Sequence, residues 1–416
     1  MRPHLQQLWY APLLALAMAL MMLRLLVMAR LLDVPAFAQF SGGILVSSTF
    51  CMLGCVGLQS MLQREWPAQL VRGQERRGIV RATQCQVVAL ACACVAWAVA
   101  AIGYAPAGLS PGMMAVAILH GLAHQWFLIA TIESRSRGET LRFARQNFVR
   151  ALGAFVLSTA VAAVTANALG ALGVDALITL GLAIGHFRRA VLRGALGIIA
   201  AGRLAVRRFA TVRWSTALTL LVITVIAFSS QNADRWVAAE RLDAREFAHY
   251  AFAWIVLTMA QALQSLINAA VYPMLARSMA TAGREAAFRL CVRVSIGTLV
   301  LGAALALPLL EAFGVALDRM YPQYAEAKPL LALLVGVAVL RVSDFWSSFV
   351  VIAGFERRLL GWNLSAFVLT AMIWLWLVGA QDGSALTLQQ VALLAVFLSI
   401  ASYGVAGMLA MRARRE

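Results

Sequence analysis

The sequence is short of charge. Of its 416 residues only 13% are Asp, Glu, Lys or Arg, about half the share usual in a soluble chain. Acids are fewer still, 18 against 35 basic residues, and lysine occurs once, at Lys328. Cysteine is sparse: Cys51, Cys55, Cys85, Cys92, Cys94 and Cys291 all fall in or beside apolar runs, and none makes a CxxC pair. Neither a disulfide framework nor a zinc site is implied. Walker, nucleophile-elbow and HExxH sequences are absent, which excludes ATP hydrolysis and argues against the commoner hydrolytic chemistries. His120 and His124 stand one helical turn apart, with no Glu between them and no third ligand near, so no metal and no cofactor is expected. Long polar stretches are missing too, which leaves no room for a folded soluble domain.

What the chain does have is apolar length, at 62% hydrophobic residues. The runs are continuous rather than alternating, and in hydrocarbon only helices or closed barrels satisfy the backbone, so helices are expected. Spans are predicted at 8–30, 38–63, 82–104, 112–133, 148–169, 171–190, 214–233, 246–275, 289–312, 326–352, 359–379 and 386–411. Gly170 to Gly173 are expected to turn the chain between the fifth and sixth. The first run, Leu8 to Met28, is too long for a signal-peptide core and lacks a small-residue cleavage site, so it reads as a retained helix. The prediction is an all-α polytopic membrane protein of about twelve transmembrane helices.

The net charge of +17 is distributed by side. Arginines crowd the connections after even-numbered spans, as in Arg72, Arg76, Arg77 and Arg81, in Arg135 to Arg150, and in Arg188 to Arg213. Acids gather on the opposite side, among them Asp33, Asp175, Asp234, Glu240, Asp243 and Glu246. This is the positive-inside bias. It puts both termini in the cytoplasm, with membrane lipids as partners and no nucleic acid.

The chain divides by sequence into a bundle at 1–200, a basic linker at 201–213 and a second bundle at 214–416. From His186 to Arg213, arginines at i,i+4 spacing interleave with Leu192, Leu196, Ile199 and Leu204, which suits either a helix lying in the interface or an extension of helix six. Leu32-Asp33-Val34-Pro35-Ala36-Phe37-Ala38-Gln39-Phe40 and Leu242-Asp243-Ala244-Arg245-Glu246-Phe247-Ala248-His249-Tyr250 share Leu-Asp-x-x-x-Phe-Ala-x-aromatic at an offset of 210 residues. Two six-helix halves in the same orientation would be related by a pseudo-two-fold along the membrane normal, as in transporters that rock two bundles.

The stretch from Ser229 to Arg277 carries a resemblance. Its polar outer turn, Tyr250 and Ala253 at a helix start, and Pro273 near the helix end resemble the polysaccharide (Wzx-like) flippase branch of the superfamily that also holds the multidrug and toxic-compound extrusion (MATE) transporters. Arg30-Leu31-Leu32 and Phe40/Gly42 agree more loosely in the first half. The resemblance implies a MATE-like fold and alternating access around a polar, cationic cavity. It implies a cargo of undecaprenyl-pyrophosphate-linked oligosaccharide carried across the bacterial cytoplasmic (inner) membrane for surface polysaccharide, and other polysaccharide-assembly proteins as possible partners.

Ionisable groups inside membrane helices point to function. Arg24 is the clearest unpaired charge; it either meets a pyrophosphate with its bidentate donors or pairs with a neighbouring helix. Arg30, at the outer interface, either gates or snorkels. Arg341 and Asp344, at i,i+3, form a sealing ion pair, or else Asp344 takes a coupling H⁺ or Na⁺ while Arg341 meets substrate. Gln261, Gln264 and Asn268 make a polar stripe for sugar hydroxyls or for interhelical hydrogen bonds. Tyr250 and Trp254 stack on sugars or sit in the aromatic belt. Asn232 and Asp234, at the outer end of helix seven, shape a gate or a solvated turn. A drug or metabolite antiporter of the same fold would call for an acid in helix one, which has none. A membrane-embedded polymerase or glycosyltransferase would need longer outer loops than the dozen or so residues near 234–245 and 313–325.

Overall fold

The computed structural model describes residues 3–103, 106–194, 197–379 and 386–416, and among these the chain is helical with no strand. The helices are α1 Pro3–Leu31, α2 Val34–Leu53, α3 Leu58–Val71, α4 Glu75–Ala101, α5 Pro111–Ser136, α6 Thr140–Thr165, α7 Ala168–Arg193, α8 Ile198–Arg207 and α9 Trp214–Arg241. They continue as α10 Ala244–Met320, α11 Lys328–Ser343, α12 Trp346–Ile352, α13 Glu356–Gly379 and α14 Leu388–Arg415. Among the described residues, eleven segments are long and apolar enough to cross a membrane. One of them, the 77-residue α10, would be about 115 Å long if straight, several times the ~30 Å hydrocarbon thickness. Gly283, at φ 81° and ψ 179°, interrupts it and makes room for two spans, so the predicted twelve are accommodated.

Contacts group the chain into two units, Met1–Phe228 and Ser229–Glu416, with the division inside α9. In the first unit α5 lies at the centre, packed on α2, α4 and α7, while α1 packs on α6. Two thirds of α5's most apolar stretch is buried, against 11% for α9, so α5 organises the core. In the second unit α10 packs along α11, and α14 fills the space beside α11, α12 and α13. Small residues make the close approaches there, with Ala287, Ala406, Ala410 and Ala413 buried alongside Phe345 and Phe349.

The internal repeat has a physical basis. Asp33 and Asp243 both sit at extended φ/ψ and cap the helix that follows, accepting from Ala36 N at 2.8 Å and Glu246 N at 2.7 Å. Leu32, Phe37, Ala38 and Phe40 are buried in one unit as Leu242, Phe247, Ala248 and Tyr250 are in the other.

Three expectations are corrected. The turn between the fifth and sixth spans falls at Ala166–Asn167, not Gly170–Gly173. Ala166 ends α6 at φ 50°, and the Asn167 side chain caps α7 by accepting from Leu169 N at 2.9 Å and Gly170 N at 3.2 Å. Both glycines therefore lie inside α7.

The span predicted at 38–63 is broken at Gly54–Gly57. Gly57 has φ +78°, and a Cβ there would sit 1.9 Å from the Ala217 carbonyl oxygen of α9. Only glycine meets both demands. Gly57→Ala is expected to lose folded protein, whereas Gly73→Ala, at φ +67° with open space around it, carries only the backbone strain of about 1 kcal/mol. Thermal unfolding of the two variants in detergent compares them; equal melting temperatures would show that the α9 contact does not constrain Gly57.

The span predicted at 326–352 is likewise interrupted, between α11 and α12. Asp344 leaves the helix at ψ 84° and accepts from Ser347 Oγ at 2.8 Å and Ser347 N at 3.3 Å. Freed carbonyls are satisfied from α10: Gln264 Nε2 donates to the Asp344 oxygen at 3.3 Å and Cys291 Sγ to the Phe345 oxygen at 3.4 Å. Irregular backbone survives at membrane depth where neighbouring side chains complete it. The connection between α7 and α9 holds a separate ten-residue helix, α8; Leu196 lies outside the described residues.

Candidate functional site

The first unit buries a node of charge. Asp175, in the second turn of α7, is fully enclosed, and one of its carboxylate oxygens is ion-paired to Arg24 of α1. The same oxygen lies 3.0 Å from His120 Nε2 of α5, and the other accepts from Thr179 Oγ1 at 3.2 Å. His120 Nδ1 is 2.6 Å from Ser47 Oγ of α2. His120 thus bridges Ser47 and Asp175, with Nε2 facing the carboxylate and Nδ1 the hydroxyl. Arg24 also lies 5.8 Å over the Phe40 ring. Four helices thus converge on one carboxylate. The order Ser–His–Asp is that of a hydrolytic relay, but Arg24 and Thr179 already occupy the carboxylate and Ser47 is only 2% exposed within a span.

Of the roles open to Arg24, pyrophosphate contact or pairing with a neighbouring helix, the geometry shows the pairing. Asp175, grouped with the outer-side acids although the span predicted at 171–190 holds it, is fully buried two turns into α7. Arg150 makes no ion pair among the described residues, although it shares the field of Asp175 with Arg24. Eleven residues into α6, it is buried with its guanidinium 5.3 Å over Phe127, and its Nε has no partner among the described residues. Sequence reasoning placed Arg150 with the loop arginines Arg142 and Arg145, and the missed signal was its position after the predicted span start at 148. Gln125 is buried nearby in sequence, and neither of its amide atoms has a partner among the described residues.

The second unit holds another buried carboxylate. Asp234 in α9 is fully buried and accepts at Oδ2 from Tyr250 Oη at 2.5 Å and Trp254 Nε1 at 2.9 Å, while its Oδ1 has no partner among the described residues. Arg235 lies 4.2 Å over the Trp254 ring. Arg341 of α11 donates to Ser399 Oγ at 3.2 Å and to the Gln231 carbonyl at 3.4 Å, one turn before Asp234. The 210-residue offset that aligns Asp33 with Asp243 and Phe40 with Tyr250 also aligns Arg24 with Asp234. Each unit carries a buried ionic group on its first helix beneath the same aromatic position, with the charge reversed.

These contacts correct several expectations. Asp234 belongs to no outer turn, because Arg235 to Arg241 hold no helix breaker and α9 runs on to Arg241. Tyr250 and Trp254 are buried donors to a carboxylate, and neither lies in an aromatic belt. Arg341 and Asp344 do not pair, since the helix breaks between them and Asp344 turns to Ser347. Of the amide stripe, Gln264 bonds to backbone and Asn268 Oδ1 accepts from Ser348 Oγ at 3.0 Å. Gln261 is half-buried, Asn232 is 7% exposed, and Arg30 is exposed at the end of α1.

No family model and no curated protein matches this chain. Solved structures do. The eukaryotic MATE transporter AtDTX14 superposes with a TM-score of 0.57 at 12% identity, covering 99% of this chain and 98% of that one. A mutant of the Vibrio cholerae MATE transporter VcmN gives 0.58 at 16% identity, covering 99% and 96%. The outward-facing conformation of a multidrug resistance MATE family transporter of the MOP superfamily gives 0.56 at 14% identity, covering 97% and 95%. The chain is an all-α, multi-pass membrane protein with the fold of MATE transporters.

Proposed function

We propose that this protein is an alternating-access transporter, placed in a cytoplasmic membrane with both termini inside, and that its cargo is a lipid-linked oligosaccharide carrying a pyrophosphate. The fold supports the transporter part, because proteins described as transporters match it over nearly the whole chain. The observation that carries the cargo is the surplus of guanidinium around Asp175: Arg24 pairs with it, and Arg150, buried in α6 without an ion pair of its own among the described residues, shares its field. A buried excess of cation inside a membrane protein is costly, and an anionic cargo offsets that cost with bidentate hydrogen bonds. The absence of any acid in the first helix and the Tyr250/Ala253/Pro273 pattern favour the same cargo over a cationic drug.

A second reading, ion-coupled antiport of a drug or metabolite, draws on the likeness to a multidrug resistance transporter and on the His120–Asp175 contact. Deleting the gene separates the two. Loss of surface polysaccharide with undecaprenyl-pyrophosphate oligosaccharide accumulating in the inner leaflet is the expected result. Normal polysaccharide with raised drug susceptibility would reverse the choice. In a complemented strain, Arg150→Gln should reduce polysaccharide export about tenfold or more at unchanged protein level, the loss of one charged contact worth about 1.5–3 kcal/mol. Wild-type export by Arg150→Gln would remove the cargo argument.

A further inference from the structure

At the arginine-rich end of the first unit, Gly73, Gln74, Glu75, Arg76, Arg77, Arg193 and Gly194 line an open cavity of about 420 Å³. It forms where the end of α7 comes down on the start of α4. Gly194 permits that approach, since a Cβ there would lie 2.2 Å from Ile79 Cδ1.

The charges around this cavity fall into two sets. One is a structural clamp. Glu133 of α5 and Glu75 of α4 both pair with Arg137; Arg142 reaches Glu133 at 2.9 Å and Glu139 at 2.6 Å; Arg193 reaches Glu139 at 3.3 Å and Glu133 at 3.6 Å. Three carboxylates thus answer three guanidiniums. The other set is the surplus. Arg76 has no hydrogen-bond or ion-pair partner among the described residues, and Arg77 gives one nitrogen to Gln74 Oε1 at 2.9 Å. Both side chains are exposed at the cavity. Two guanidiniums that the fold does not use thus face a site whose acids are already committed.

Beside the cavity, α8 packs on α4 through buried Ala201 and Ala205, where the Ala205 carbonyl accepts from Gln84 Nε2 at 3.0 Å. Away from that contact it exposes Ile199 (75%) and Val206 (65%), with Arg203 and Arg207 on the adjoining stripe. An apolar stripe bordered by arginine lies in the headgroup region with its apolar residues toward the acyl chains. On the proposed orientation this pattern suits the headgroup region of the inner leaflet, and the cavity with it.

We infer that this cavity binds the phosphate of an anionic phospholipid of the inner leaflet, with Arg76 and Arg77 as its ligands and α8 beside its acyl chains. Guanidinium forks match phosphate oxygens, and basic pockets on the cytoplasmic side of membrane helices suit such headgroups. The site is separate from the cargo reading, because it uses none of Arg24, Arg150 or Asp175.

Purified full-length protein in neutral detergent, titrated with phosphatidylglycerol and read by native mass spectrometry and thermal unfolding, tests it. Wild type should retain phosphatidylglycerol and melt higher with it than with phosphatidylcholine. Arg76→Gln combined with Arg77→Gln should raise the half-saturating lipid concentration about tenfold and abolish the melting gain, while Arg357→Gln combined with Arg415→Gln, an equal charge loss elsewhere, should change neither. The proposal is overturned if both double variants behave alike, if phosphatidylcholine protects equally, or if inorganic phosphate at the same concentration gives the full gain.

Discussion

Asp175→Ala is expected to destabilise the first unit by about 3–5 kcal/mol, because it strands a buried guanidinium without its carboxylate. Arg24→Ala should cost a similar amount by stranding the carboxylate, although His120 and Thr179 remain as donors and soften the loss. The informative variant is the double replacement, Arg24→Met with Asp175→Leu. Exchanging a whole buried pair for apolar groups of similar size is often neutral or stabilising, so the melting temperature of the double variant should return most of the way to wild type. Transport should not return with it if the node takes part in the cycle. Unfolding in detergent, followed by export in a complemented strain, reads both quantities. Two single variants as stable as wild type would mean that Arg24 and Asp175 are not a buried pair. A double variant that exports normally would make the pair a purely structural seal.

Much of this architecture is legible in the residues. Helix class, span count and the repeat follow from apolar length and from Leu-Asp-x-x-x-Phe-Ala, since the same cap and the same buried side chains recur in each unit. What escapes is how polar residues combine. Arg24 is conspicuous in an apolar run, yet its partner is 151 positions away on α7, and no local spacing connects them. Asp175 was grouped with the outer acids by side, although the span predicted at 171–190 already held it; the cap at Asn167 moves the start by only three residues. The interruptions inside two spans were written in small signals overridden by hydropathy: the Gly54/Gly57 pair, and Asp344 followed three residues on by Ser347, an N-cap pattern within an apolar run. Reading Arg341 and Asp344 as an i,i+3 pair assumed an unbroken helix, and that assumption failed where Asp344 turned to cap α12.

Tyr250→Phe should separate packing from electrostatics at the second node. The change is sterically mild, and the first unit already carries Phe40 at the equivalent position, buried against the equivalent first-helix residue, Arg24. It deletes the 2.5 Å hydrogen bond to Asp234, leaving Trp254 as the donor to that oxygen while Oδ1 stays unpartnered among the described residues. A hydrogen bond to a charged group is worth about 1.5–3 kcal/mol, so the melting temperature should fall and transport should drop about tenfold. Phe suits unit 1 because the buried group beneath it is a guanidinium, drawn to the ring face. Tyr suits unit 2 because the group there is a carboxylate, which needs a proton donor. The reversed charge and the changed aromatic residue are thus one substitution pattern, and Asp234→Asn should make the Tyr250 hydroxyl nearly dispensable. Tyr250→Phe would then cost far less in the Asp234→Asn background than in wild type. Equal costs in the two backgrounds would show that the hydroxyl and the carboxylate act independently.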